Sequence, residues 1–183
     1  DLGANVGFAD IAFALRYPDA KILAYEPEPG NFTALQTNCA SFPNIVPIHK
    51  AITMFGDKRV NCRSCGGEWG YVFTTDDENT EDGISDASTE MMTVDSVTLH
   101  DIVREYDIKP QDHALFKVNI AGFEHEIFSG DTSWIDSFAS VMVRTPWPMD
   151  RKNQFALFGA FQNSEHEYEL QAYKTSLVFQ RED

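Results

Sequence analysis

The residues whose types and spacing suit chemistry open the chain. Asp1–Gly7 reads DLGANVG, and an apolar helical pattern starts at Phe8. Gly3, Ala4 and Gly7 are small enough for backbone N–H groups to approach a ligand closely, and a helix start adds the positive end of its dipole. Twenty-five residues after Asp1 stands Glu26, directly behind the run KILAY at Lys21–Tyr25. A carboxylate there accepts both hydrogen bonds of a ribose diol. One strand–helix–strand step apart, the glycine turn and Glu26 read together as a site for an adenosine-containing molecule. A dinucleotide site has G-x-G-x-x-G, whereas this turn is D-x-G-x-x-x-G. Asp1 at that place repels a pyrophosphate and suits a ligand with an amino group and a sulfonium, which is S-adenosylmethionine. A nicotinamide-dependent oxidoreductase is the distant alternative.

The elements around these residues alternate. Phe8–Arg16 is a short helical pattern ended by Tyr17-Pro18. Strands are expected at Lys21–Tyr25, Ile45–His49, Met91–Val94, His113–Ile120 and Ala139–Val143, with a strand pair within Arg59–Phe73. Helices are expected at Asn31–Ala40, Leu99–Tyr106, Phe123–Ser129 and Lys152–Gln162, and a closing strand pair at Tyr168–Tyr173 and Thr175–Gln180. Short connections between strands and helices imply a mostly parallel sheet with helices on both faces and an antiparallel end. In such a sheet ligands sit beyond the carboxyl ends of the strands. The expected first strand ends at Asp1, inside the glycine motif, so it would begin upstream of that residue.

Composition sets outer limits. The 183 residues, 43% hydrophobic and 23% charged, suit a single domain with a sizeable core over 1–183. No run of about 18 apolar residues is present, so no membrane span is expected. The net charge of −15 argues against duplex nucleic acid as a partner, because backbone binding needs a basic face. Ten of the carboxylates fall between Ser64 and Val103, where no Lys or Arg occurs. The stretch of about 74–90 reads as a solvated acidic loop whose spacing does not fit a calcium loop. Cys62 and Cys65 have C-x-x-C spacing without a second ligand pair, so no metal is assigned to them. The odd count of three cysteines leans towards a reducing compartment, and the location stays open.

Taken in order, DLGANVG, AYEPEPGNFTALQTN, the alanine of KAITMFGDKRV, VDSVTLHDIV and KVNIAGFEHEIFSG resemble the successive motifs of the FkbM-type methyltransferases. The resemblance runs from about Asp1 to Val143. It implies a Rossmann-like class I methyltransferase fold with a seven-stranded sheet. It also implies S-adenosylmethionine as cofactor and O-methylation of a small-molecule or glycan hydroxyl. Position by position, Asp1, Gly3, Asn5 and Gly7 match the glycine motif, and Glu26 and Pro27 match the ribose-binding turn. Asn31 and Ala51 match positions that line the cofactor side. In the fourth-strand motif, approximately K-I-D-x-E-G-x-E, Lys117 and Glu124 match, whereas Asn119 replaces the Asp and Ala121 the Glu. Arg144 and Thr145 stand where an acid is usual at the end of the next strand.

These departures all lie on the acceptor side. Asn119 hydrogen-bonds but is neither a base nor a strong metal ligand, so no obligatory metal is expected. Lys117, Asn119 and Glu124 are the expected acceptor-facing residues. Glu124 is the first candidate base, ahead of His100, His113 and His125. Trp69, Tyr71 and Trp147 are packing residues or stacking surfaces for an acceptor. The rival expectation is a catalytically degenerate methyltransferase-like domain with a binding or regulatory role.

Overall fold

The computed structural model describes residues 1–54, 59–64, 71–75, 91–120, 124–145 and 151–182. In chain order the elements are α1 (Phe8–Arg16), β1 (Ile22–Tyr25), α2 (Pro29–Cys39), β2 (Ile45–Ile48), β3 (Ala51–Ile52), β4 (Arg59–Ser64), β5 (Tyr71–Thr75), β6 (Met91–Val97), α3 (Leu99–Glu105), β7 (Leu115–Val118), α4 (Glu124–Ile127), β8 (Ser140–Arg144), α5 (Arg151–Gln162), β9 (Tyr168–Tyr173) and β10 (Ser176–Arg181).

β1 pairs in parallel with β2, and β7 in parallel with β8. Between the two pairs lies Leu2, bridged in parallel to Tyr25 of β1 and to Val118 of β7. β10 and β9 extend the other edge antiparallel to β8 and to each other. The result is six strands joined through one residue, in the spatial order β2, β1, Leu2, β7, β8, β10, β9. The sheet is mixed: β1–β2 and β7–β8 are parallel and β8–β10 and β10–β9 antiparallel, so the antiparallel end is present, but the expected seven-stranded, mostly parallel sheet is not clearly formed. Leu2 occupies the place expected for the end of the first strand, just before the turn at Gly3.

A second sheet departs from the single-sheet expectation. β3 runs parallel to β6, and β4 lies antiparallel between β6 and β5. The strand pair anticipated within Arg59–Phe73 forms, but its sheet depends on β6, about thirty residues along the chain. Pairing at that separation leaves no local trace in a sequence. α4 ends at Ile127, two residues before the expected Ser129, and the expected start at Phe123 lies outside the described residues. Cys65, Trp69, Ala121, Trp147 and the 76–90 part of the acidic stretch lie outside the described residues.

Period-two alternation in β1 explains why both sheet faces are covered. Ile22 and Ala24 pack into one cluster with Ala14 of α1 and with Leu35 and Cys39 of α2. Tyr25 belongs to the opposite cluster, with Leu2, Val118, Val143 and Phe179 of the sheet, Leu99 and Ile102 of α3, and Leu157 of α5. α3 is fastened at its start by a capping box between Thr98 and Asp101. α5 lies over the antiparallel end, where Phe161 stacks on Phe179 at 3.7 Å between ring centroids. A fully buried side chain such as Phe179 contributes about 1.5–3 kcal/mol.

Candidate active site

The glycine turn is tied to the ends of two strands. Leu2 N donates to Lys117 O (2.8 Å) and Asn119 N to Leu2 O (3.0 Å). Gly3 N and Ala4 N both donate to Tyr25 O (3.1 and 3.0 Å). Gly3 has φ +75°, and a Cβ there would lie 2.1 Å from Asn119 O. Glycine is thus required by a neighbouring backbone as well as by its dihedral. Gly7, at φ +89°, opens α1, and a Cβ there would come within 2.7 Å of both Leu35 and Cys39 on α2. The first motif and the fourth-strand motif, 116 residues apart, therefore share one backbone seam.

Glu26 is buried directly after β1, at 4% exposure. Its Oε2 accepts from Asn5 N (2.8 Å), and its Oε1 from Glu28 N (3.0 Å). Asn5 takes a left-handed φ of 52°, which aims its amide at that carboxylate. Burial pushes the Glu26 carboxyl above its usual range, while the Glu28 and Asn5 amides and the Asn31 side chain pull it back. A carboxylate offers about four acceptor directions, so two bonds to amides leave capacity for a diol. Glu28 caps α2 by accepting from Asn31 N. Pro27 O is bonded to His49 Nε2 at 3.0 Å, and the His49 ring stacks on Phe32 at 4.7 Å. His49 and Phe32 were not singled out from sequence. Their role as a brace for the Glu26–Glu28 turn needs the fold, which brings the end of β2 beside the start of α2.

Lys117 and Asp1 form a buried ion pair, with Nζ–Oδ1 at 2.5 Å and side chains 15% and 2% exposed. The Asp1 carboxylate, expected to meet a ligand cation, already has a partner inside the protein. Burial lowers the Lys117 ammonium to about 8; Asp10 and Glu26 pull it up, and Arg144 pushes it further down. Asp10, on α1, is fully buried, with no hydrogen-bond partner for either carboxylate oxygen. Burial raises its carboxyl, against the pull of Lys117. Sequence reading passed over Asp10; the available signal was a carboxylate inside the apolar pattern FADIAFALR.

Beside the glycine turn is a cleft of about 300 Å³. Its walls include Gly3, Asn5 and Phe8 from the turn and α1, Lys117 and Asn119 from β7 and its end, and Arg144 from β8. Glu124 is buried at the start of α4 and does not line it. His100 sits on α3 beside Ser133 (3.2 Å) and Asp131 (3.4 Å), and His125 lies near Ser129 on α4; neither lines the cleft. Ala51 is buried in β3 with Val60 and Val94. A larger cavity of about 700 Å³ lies between β1 and β7, among Ile22, Leu23, Leu115 and Phe116. It reaches the starts of those strands, whereas ligands of parallel sheets gather at the carboxyl ends. The smaller cleft is therefore the candidate site; Glu26 does not line it but is hydrogen-bonded to Asn5, which does.

Among the described residues no three His, Cys, Asp or Glu side chains gather as metal ligands would, and no helix is long and apolar enough to cross a membrane. Comparison with family models matches residues 1–155 to the methyltransferase FkbM domain. No curated protein and no solved structure matches the chain.

Proposed function

Since the chain belongs to the FkbM methyltransferase family, we propose that it is an S-adenosylmethionine-dependent enzyme that methylates an oxygen of a small molecule or glycan. The family carries the methyltransferase activity and the Rossmann-like fold in general; the cofactor, the acceptor and the residue roles are our reading. The observation that supports it most is Glu26, a buried carboxylate at the end of β1, oriented by Asn5 N and Glu28 N beside the glycine turn.

These residues fit the cofactor. Glu26 retains acceptor capacity for the ribose diol, and Pro27 and Asn31 flank it on the same turn. Gly3 and Gly7 keep the floor of the turn free of side chains at places where a Cβ would meet atoms of the fold itself. When bound, S-adenosylmethionine supplies an electrophilic methyl group on a sulfonium. The protein's share is alignment, since displacement at a methyl carbon depends on holding nucleophile and carbon in line. Asn119 and Lys117 form the wall on the acceptor side. The Lys117–Asp1 pair fixes the lysine so that its charge stays in place.

The test is calorimetric titration with S-adenosylhomocysteine. Glu26→Ala would remove two backbone hydrogen bonds and confound folding with binding. Glu26→Gln retains an acceptor oxygen for one amide and loses the charge. We expect its affinity for S-adenosylhomocysteine to fall about tenfold or more, with an unchanged circular dichroism spectrum. Unchanged affinity would remove the ribose assignment. A second reading, a binding domain without turnover, is favoured by the absence of a carboxylate among the described residues of the cleft wall. Methyl transfer to any acceptor would exclude it.

A further inference from the structure

The charge on the cleft wall argues for the charge of what enters it. Arg144 is exposed at the end of β8, opposite Ser176 of β10, and lines the cleft with Lys117 and Asn119. It forms no ion pair with a described residue. Among the described residues no Asp, Glu or His lines the cleft. Lys117 is neutralised by Asp1, so on a molecule of net charge −15 Arg144 is the cation this wall offers without a described ion-pair partner, and a cation on a concave wall attracts anionic ligands. Arginine's planar fork matches a carboxylate better than it matches a neutral hydroxyl.

The same wall bears on the chemistry. A hydroxyl acceptor must pass its proton to a base as it is methylated. Among the described lining residues the one amine that could act as a base is Lys117, and it is paired with Asp1. A carboxylate has no proton to lose at neutral pH, because its ordinary pKa is about 4. We infer that the acceptor is a small-molecule carboxylate bound by Arg144 and that the product is its methyl ester, an inference that rests on the methyltransferase reading above. One carboxylate oxygen gives an electron pair to the methyl carbon of S-adenosylmethionine. The carbon–sulfur bond breaks and its pair stays on sulfur. The negative and positive charges cancel, the second product is S-adenosylhomocysteine, and no proton moves. Asn119 fits this role, since an ionised Asp there would repel the incoming acid.

The probes are acetate, succinate, benzoate and galacturonate, each paired with its primary amide, with methyl glucoside as a neutral hydroxyl. Calorimetry on the protein saturated with S-adenosylhomocysteine reads acceptor affinity. Transfer of labelled methyl from S-adenosylmethionine reads chemistry, because mild base releases the label from an ester as methanol and leaves an ether intact. We expect at least one acid to bind about tenfold more tightly than its amide, and Arg144→Gln to abolish that preference. Labelled product should be base-labile, and Arg144→Gln should leave S-adenosylhomocysteine affinity within about twofold. Base-stable label on methyl glucoside, no preference for any acid, or loss of S-adenosylhomocysteine binding in Arg144→Gln would each overturn the inference and leave the methyltransferase reading standing. Failure of the folded wild-type protein to bind S-adenosylhomocysteine would bring down both.

Discussion

Asp10 is where residue-level physics is least comfortable. Its carboxylate is fully buried on α1 and neither oxygen has a hydrogen-bond partner, while Lys117 nearby is already paired with Asp1. Burial raises the Asp10 carboxyl in the folded protein. A raised folded-state pKa means that the fold prefers the protonated acid. The associated stabilisation is complete below the unfolded-state pKa and is lost as pH rises through the folded one. Asp10→Asn keeps the shape and removes the ionisation. It should stabilise the protein at pH 7 by about 1–3 kcal/mol, with the gain shrinking on acidification. Urea denaturation of both proteins at neutral and acidic pH measures this. A less stable variant at neutral pH would show instead that Asp10 is held ionised by Lys117.

At the scale of elements, two glycines make opposite demands. Gly3 joins the glycine turn to the end of β7, where φ is +75° and a Cβ would lie 2.1 Å from Asn119 O. Gly159 is inside α5, and a Cβ there would meet nothing within 4 Å. Gly3→Ala should therefore destabilise by about 2 kcal/mol or more, from the left-handed dihedral and the backbone clash together. Gly159→Ala should stabilise by about 0.5–1 kcal/mol through helix propensity. Denaturation midpoints check both. A Gly3→Ala protein as stable as wild type would mean that the seam between turn and β7 is loose. The site would then lose the geometric reason for its first glycine.

For the whole molecule the governing quantity is charge. A net charge of −15 over 183 residues makes the folded state repel itself at long range. Raising ionic strength from about 0.01 M to about 0.15 M shortens the screening length from about 30 Å to about 8 Å. The melting temperature should rise over that interval. A fall would mean that attractive pairs such as Lys117–Asp1 dominate the response despite the excess of acids. Against that field Arg144, which has no ion-pair partner among the described residues, is a local exception on the cleft wall.

Much of this protein was legible in its residues. Small residues at Gly3 and Gly7 and an acid after KILAY are local facts with local causes, so the turn, the position of Glu26 and the alternation of elements could be read directly. Period-two and helical patterns placed most of the strands and helices to within a few residues. What could not be read depends on separation along the chain. The sheet built from β3, β6, β4 and β5 needs partners from distant segments. The Lys117–Asp1 pair joins residues 116 apart, and the His49–Phe32 brace exists because β2 ends beside α2. Glu124 matched a family acid in sequence, yet packing buries it away from the cleft wall, while Arg144, noted only as a departure, becomes part of that wall. A sequence specifies which groups are available. Which of them share a cavity, and which lose their charge to a neighbour, is decided by burial and distance, and those exist only once the chain has folded.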